Sequence, residues 1–166
     1  MADLPETTLE VDFLAQTYRA AQDSAIAKVE DAFAALLNAA TGEGQDLQGW
    51  TAIAGQSVDE KIDETQWPAI AIYTTAYACE PFEELNDHIH TATIEIEFIS
   101  GTGGLGTISR ANQNAIAAAQ GVIAVDRYLG GRLQTCEEVD VAPSTPNGKD
   151  VGSASIQYRI QFITPR

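Results

Sequence analysis

The chain has 166 residues and a mass of 17.7 kDa, of which 45% are apolar and 20% charged, an ordinary globular composition rather than that of a disordered chain. Its 24 acids against 9 bases leave a formal charge of −15. This excludes the simplest nucleic-acid binder, which is basic and releases counterions from phosphates, and it excludes a polybasic membrane-surface protein.

The charge is uneven. Residues 1–66 hold 13 acids and 3 bases, and residues 67–166 hold 11 and 6. Only two cysteines occur, Cys79 and Cys136, outside any Cys-x-x-Cys pair. They read as small hydrophobes in a reducing cytoplasm rather than as a secreted disulfide framework. MADLPETTLE lacks the basic and apolar regions of a signal peptide, and no apolar run approaches the roughly 20 residues of a membrane span. A single domain over 1–166 is expected: an N-terminal helix region (1–40), an acidic insertion or loop (41–66), then a sheet with a second helix (67–166).

In chain order, Leu14, Tyr18, Ala21, Ala25, Val29, Phe33 and Leu36 step by three or four residues, which lays them on one stripe of a helix. Asp23-Ser24 is a possible second cap within it, and Gly42 and Gly44 end it. Residues 41–66 are polar and acidic and read as a long connection that packs through Trp50 and Ile53. Pro68 opens a strand, PAIAIYTT, because proline lacks the N–H a central ladder needs. Residues 79–90 read as an acidic turn region. In HTATIEIEFIS, Ile94, Ile96 and Phe98 alternate with Thr93, Glu95 and Glu97, the mark of a strand with one wet face. A second helix is expected over 108–129, capped by Ser109, with Ala115, Ala119, Val122, Ile123 and Tyr128 inward and Gly130-Gly131 as its stop. The strands RLQTCEEVDV and SASIQYRIQFIT follow, joined by APSTPNGKDVG with its Asn147-Gly148 turn. This order predicts an α+β layer: a mostly antiparallel four-stranded sheet with two long helices on one face.

Two patterns invite chemistry, and both read more simply as structure. Gly101-Thr102-Gly103-Gly104-Leu105-Gly106 matches G-x-G-x-x-G. A dinucleotide fingerprint, however, follows a strand buried on both faces and keeps its last glycine in the first helical turn. Here Glu95 and Glu97 wet one face, and the helix starts after the glycines. His88-x-His90 sits near Asp87, Glu83 and Glu84, but no third ligand has a defined spacing, so a pair of surface histidines is expected. No G-x-S-x-G or H-E-x-x-H occurs. Catalytic residues, cofactor and metal are all expected to be absent.

The order of WPAIAIYTT, HTATIEIEFIS, the alanine-rich ANQNAIAAAQGVIAVDRYLGG and the closing IQYRIQFITPR, behind a first helix, resembles the tail terminator (tail-completion) proteins of long-tailed bacteriophages. Residues 41–66 depart from that pattern as an apparent insertion. The resemblance implies a virion protein that forms a ring, usually of six copies. Such a ring caps the tail tube, ends its growth and joins tail to head or neck. Its partners would be its own copies, the tail tube protein and a neck or head-completion protein, with DNA passing through unbound. A domain with a radius of gyration of about 15 Å is too small to surround a duplex alone, so several copies are required. Turn geometry and charge then nominate Pro143, Pro146, Asn147, Gly148, Lys149, Asp150 and Arg159 for contact with a neighbour or the tube. Glu80, Glu83, Glu84 and Asp87 are nominated for an anionic lumen. The alternatives are another ring protein of the phage neck and a cellular acidic module for a basic partner, which −15 would attract.

Overall fold

A computed structural model of the chain describes residues 25–55, 67–82, 87–101, 107–146 and 150–165. The first described element is a helix, α1 (residues 25–38). Val29, Phe33 and Leu37 recur every four residues and are buried, with Ala34 beside them. The stripe therefore ends on Leu37, while Leu36 is half-buried, as the drift of a 3.6-residue period requires. The expected helical positions before Ala25, and the Asp23-Ser24 cap, lie outside the described residues.

Five strands and a second helix follow: β1 (Thr51–Ala54), β2 (Ala69–Phe82), β3 (Asp87–Gly101), α2 (Ile108–Val125), β4 (Thr135–Pro146) and β5 (Val151–Pro165). They form one sheet in the order β1-β2-β3-β5-β4. β1 and β2 pair in parallel, and every other pair is antiparallel. The α+β class holds, but the sheet is mixed and has five strands rather than four. The added strand is TAIA, too short to show an alternation. It runs parallel to β2, an arrangement that needs a connection of about a dozen residues or more, and residues 55–68 separate the two strands.

A second correction concerns residues 79–90. They are mostly strand, since β2 runs to Phe82 and β3 begins at Asp87. β2 and β3 pair from Ala69–Ile99 to Phe82–Asp87, and that continuous ladder outweighs the polar composition of its end. The second helix also differs at its ends. Its N-cap is Thr107 rather than Ser109, and it stops at Val125 rather than Leu129. Leu129, Gly130 and Gly131 all have positive φ (49°, 67° and 85°), a turn that only glycine adopts without strain. Tyr128 thereby leaves the inner face and is exposed.

One core lies between the sheet and the helices. The even-numbered residues of β3 and β5, among them Ile94, Ile96, Phe98, Ile156, Tyr158 and Ile160, point into it. α1 contributes Val29, Phe33 and Leu37, and α2 contributes Ala115, Ile116, Ala119 and Ile123. Phe33 stacks on Tyr158 at 6.3 Å, and Trp50 meets Phe98 edge-on at 5.9 Å. Each fully buried large side chain contributes about 1.5–3 kcal/mol, so this layer fixes which sheet face is inside. A smaller cluster, Ala69, Ala71 and Ile99, sits on the other face beside Ile53, Trp67 and Val151.

Candidate functional site

The sheet has two outer edges, and they differ. On one side β1 pairs only with Ala69–Ile72. Among the described residues, β2 from Thr74 to Phe82 therefore has no strand beyond it. Residues 75–78 on this edge are exposed. On the other side β4 is the last strand, and residues 137–143 are exposed. β4 carries the features that keep an edge from pairing at random. Its ladder shifts between Glu138 and Asp140 and again between Ala142 and Thr145, Pro143 and Pro146 offer no N–H, and Glu137, Glu138 and Asp140 are charged. Val139 and Val141 nevertheless remain exposed.

The face away from the helices is acidic. Register places the side chains of Glu80, Asp87, Glu95, Glu97, Glu137 and Asp140 on it, with Arg159 as its cation among the described residues. Gln157 Nε2 donates to Glu95 Oε2 at 2.8 Å, and the Tyr73 hydroxyl donates to Glu97 Oε2 at 3.1 Å. Arg159 lies between Thr93 of β3 and Glu137 of β4.

Apart from Arg159, the described residues among those nominated from the sequence fall into two groups at opposite ends of the sheet. Pro143, Pro146 and Asp150 belong to the β4–β5 end, near Gly101 and Val151, while Arg159 lies midway along β5. Pro143, Asp150 and Arg159 are exposed. Gly101 marks a close approach there: a Cβ would stand 3.2 Å from both the Asp150 carbonyl and the Trp67 ring. Glu80 is exposed and Asp87 half-buried at the β2–β3 end. Asn147, Gly148 and Lys149, with Glu83 and Glu84, lie outside the described residues, as do residues 102–106 of the glycine run.

The histidines are not a surface pair. His88 and His90 are both buried, His90 being 1% exposed. They sit on the inner face because that face takes the even positions of β3. His90 Nδ1 is hydrogen-bonded to the Tyr77 hydroxyl and Nε2 to the Thr164 hydroxyl, each at 2.6 Å. Its ring lies parallel to that of Phe162 at 4.6 Å. Burial, and secondarily the charge of His88, hold its pKa below the ordinary value. With both nitrogens engaged, this ring ties β2, β3 and β5 together. Among the described residues no group of three or more His, Cys, Asp or Glu side chains could hold a metal ion.

Two further polar fixtures had no motif to announce them. Asn112 of α2 is fully buried. It accepts from the Ser100 hydroxyl at 2.6 Å and donates to Ser144 Oγ at 3.2 Å and the Gly152 carbonyl at 3.0 Å. One side chain thus joins α2, β3, β4 and β5. Arg127 Nε donates to the Cys136 carbonyl at 2.6 Å, and Glu138 accepts from Gln120 and Tyr158. Gln120, Arg127, Glu138 and Tyr158 line a cleft of about 190 Å³ between α2 and β4. Its groups already bond one another, which reads as a joint and not as a ligand site.

A wider groove of about 430 Å³ lies where α1, the 129–134 turn and the end of β5 meet, with Lys28 and Arg132 on its walls. No described helix is long and apolar enough to cross a membrane. No protein-family model matches the sequence, and no curated protein matches it.

Proposed function

We propose that the protein is a ring-forming structural subunit of a bacteriophage virion. It caps the tail tube, ends the tube's elongation and joins tail to head or neck while DNA passes through. The observation that carries the reading is the pair of unlike edges on a single sheet, β2 beyond Ile72 and β4, beyond which the described residues supply no further strand. Pairing one edge with the unlike edge of a second copy is a heterologous contact, which repeats around an axis until it closes or grows into a filament. Exposed strand edges supply unpaired backbone groups suited to such contacts.

The acidic face supports the passage. Asp87, Glu95, Glu97, Glu137 and Asp140 outnumber Arg159 there, and a wall of that sign repels phosphates over about 8 Å at physiological salt. DNA held by no fixed contact is free to move. The order of elements that resembles tail terminators adds to the reading. The partners are further copies (six, if the resemblance extends to copy number), the tail tube protein and a neck or head-completion protein.

The test combines native mass with imaging of the protein mixed with purified tail tubes. Closed rings seated on tube ends, and tubes that no longer grow, are expected. A monomer that never attaches to a tube end overturns the reading. Rings that ignore tubes but bind head portals place the protein in the neck instead.

A further inference from the structure

We infer that the groove walled by Lys28 and Arg132 receives the acidic turn of residues 42–48 from a second copy, with Glu43 and Asp46 as the anions it takes. The inference rests on the ring reading and names the contact between neighbours.

The groove is a basic hollow in an acidic protein. Lys28 comes from α1 and Arg132 from the turn before β4, and both are exposed. Among the described residues neither cation forms an ion pair or a hydrogen bond. Val29 and Phe162, which line the groove with them, are buried, so the core sets its shape. Two unpaired cations in one groove of a chain with a net charge of −15 call for an anionic occupant.

The turn that follows α1 is such an occupant. Glu43 and Asp46 are exposed, and among the described residues neither forms an ion pair or a hydrogen bond. The backbone that carries them is fixed. Gln45 N donates to the Gly42 carbonyl at 3.1 Å, Gln48 N to the Gln45 carbonyl at 3.2 Å, and Gly44 N to Gln48 Oε1 at 3.0 Å. Leu47 is fully buried and roots the turn in the core, where its N–H donates to the Ala40 carbonyl at 3.0 Å. A turn ordered in advance loses little entropy on docking.

Position in the fold selects this turn over the other acids. α1 crosses the inner face of the sheet. Val29 near its start borders the groove with Phe162 of β5, and Asn38 at its end bonds Ala52 of β1. The groove therefore lies by β5 and the approach to β4, and the turn, which leads into β1, lies on the opposite flank of the sheet. Both belong to the helix layer, since Leu47 and Trp50 share one core with Val29 and Phe162. Glu80, Glu95, Glu97, Glu137 and Asp140 occupy the other face of the sheet. Two unlike patches on opposite flanks of one subunit make a heterologous contact, which repeats from copy to copy.

The test exchanges the charges. Lys28→Glu/Arg132→Glu and Glu43→Lys/Asp46→Lys are made in the full chain. All four side chains are exposed, so the fold should persist, which circular dichroism checks. Sedimentation velocity then follows association with and without purified tail tubes. The wild type should associate, less so as salt rises. Each double variant alone sets like charges against each other and should associate roughly tenfold more weakly or worse. An equimolar mixture of the two restores opposite charges at every contact, as does the fourfold variant, and both should regain the wild-type mass. Carbodiimide, which joins an amine to a carboxylate without a spacer, should link Lys28 of one copy to Glu43 or Asp46 of another, read by mass spectrometry on mixed isotope-labelled and unlabelled protein. Unchanged association of either double variant, a mixture no better than its parts, or Lys28 links confined to one chain overturns the inference, even if rings form on tube ends. Wild-type protein that stays monomeric with and without tubes overturns the inference and the ring reading together. Association that obeys the exchanges but never seats on tube ends leaves the groove assigned and removes the tail-terminator reading.

Discussion

Asn38 pairs with Ala52 as a neighbouring strand would. Its side-chain amide donates to the Ala52 carbonyl at 2.9 Å and accepts from the Ala52 N–H at 2.8 Å. Thr51 and Gly55 direct their N–H groups to β2, donating to Pro68 and Ile72, so Ala52 faces outward, and the end of α1 closes the open side of β1. Replacing Asn38 by Ala leaves both groups to water at a partly buried site. A loss of about 1–2 kcal/mol is expected, read as a fall in Tm of about 2–4 °C per kcal/mol. Amide exchange should quicken at Ala52 and much less at Ile96. Unchanged exchange at Ala52 would show that the pairing does not hold β1.

Asn112 is a second side-chain amide on which several elements converge, and this one is fully buried. Asn112→Ala removes an acceptor from Ser100 and a donor from the Gly152 carbonyl, both within the interior. Each stranded group costs about 1–3 kcal/mol, so the variant should lose about 2–4 kcal/mol in urea unfolding with the m-value unchanged. Ser144→Ala, which removes only the long 3.2 Å contact, should lose under about 1 kcal/mol. Equal losses in the two variants would refute the view of Asn112 as the hub.

The contrast between what the sequence reveals and what it hides has a physical pattern. Ile94, Ile96 and Phe98 against Thr93, Glu95 and Glu97 announce a half-wet strand, and the inward set is fully buried. Ala154 to Phe162 in β5 does the same. Such signals are local and periodic. β1 has neither property, because four residues show no period and its pairing depends on Ala69–Ile72, which lie beyond a long connection. The ends of β2 and β3 were hidden by composition: acids normally mark turns, yet the same ladder that pairs Ile70 with Phe98 and Ile72 with Ile96 extends through Glu80. His90 looked like a surface residue because histidine is often exposed. Its parity with Ile94 and Ile96 was the available signal that it faces inward. Lys28 and Arg132 are far apart in sequence, and only the fold brings them together.

Cys136 and Cys79 should behave as two different thiols. Cys136 is 2% exposed, and burial pushes its pKa up to about 11 against a smaller opposing pull from Arg127. The thiolate is the reactive form, so Cys136 should resist a disulfide reagent at pH 8 while the half-exposed Cys79 reacts. Native protein should release one equivalent quickly, and denatured protein two. Rapid release of both from native protein contradicts the burial of Cys136.

His90 should make stability depend on pH in the range where few other groups titrate. In the folded chain burial, and then the charge of His88, lowers its pKa from 6.5. The unfolded chain takes up its proton near the ordinary value, so below it the unfolded state binds more protons than the folded state, and stability rises with pH there. The contribution is complete above about pH 7, falls as the pH drops through 6.5, and levels off once the folded imidazole also protonates. A protonated ring keeps both hydroxyl partners, Tyr77 and Thr164, as acceptors, so the loss comes from placing charge in the interior and not from broken hydrogen bonds. Urea unfolding of the wild type and of His90→Gln from pH 7.5 to 5.5 isolates the effect, since glutamine does not titrate. The wild type should lose stability more steeply over this range than the variant. Parallel curves would mean that His90 is as free to ionise in the fold as in the open chain, and that the stacked ring between Tyr77, Phe162 and Thr164 is far wetter than its 1% exposure indicates.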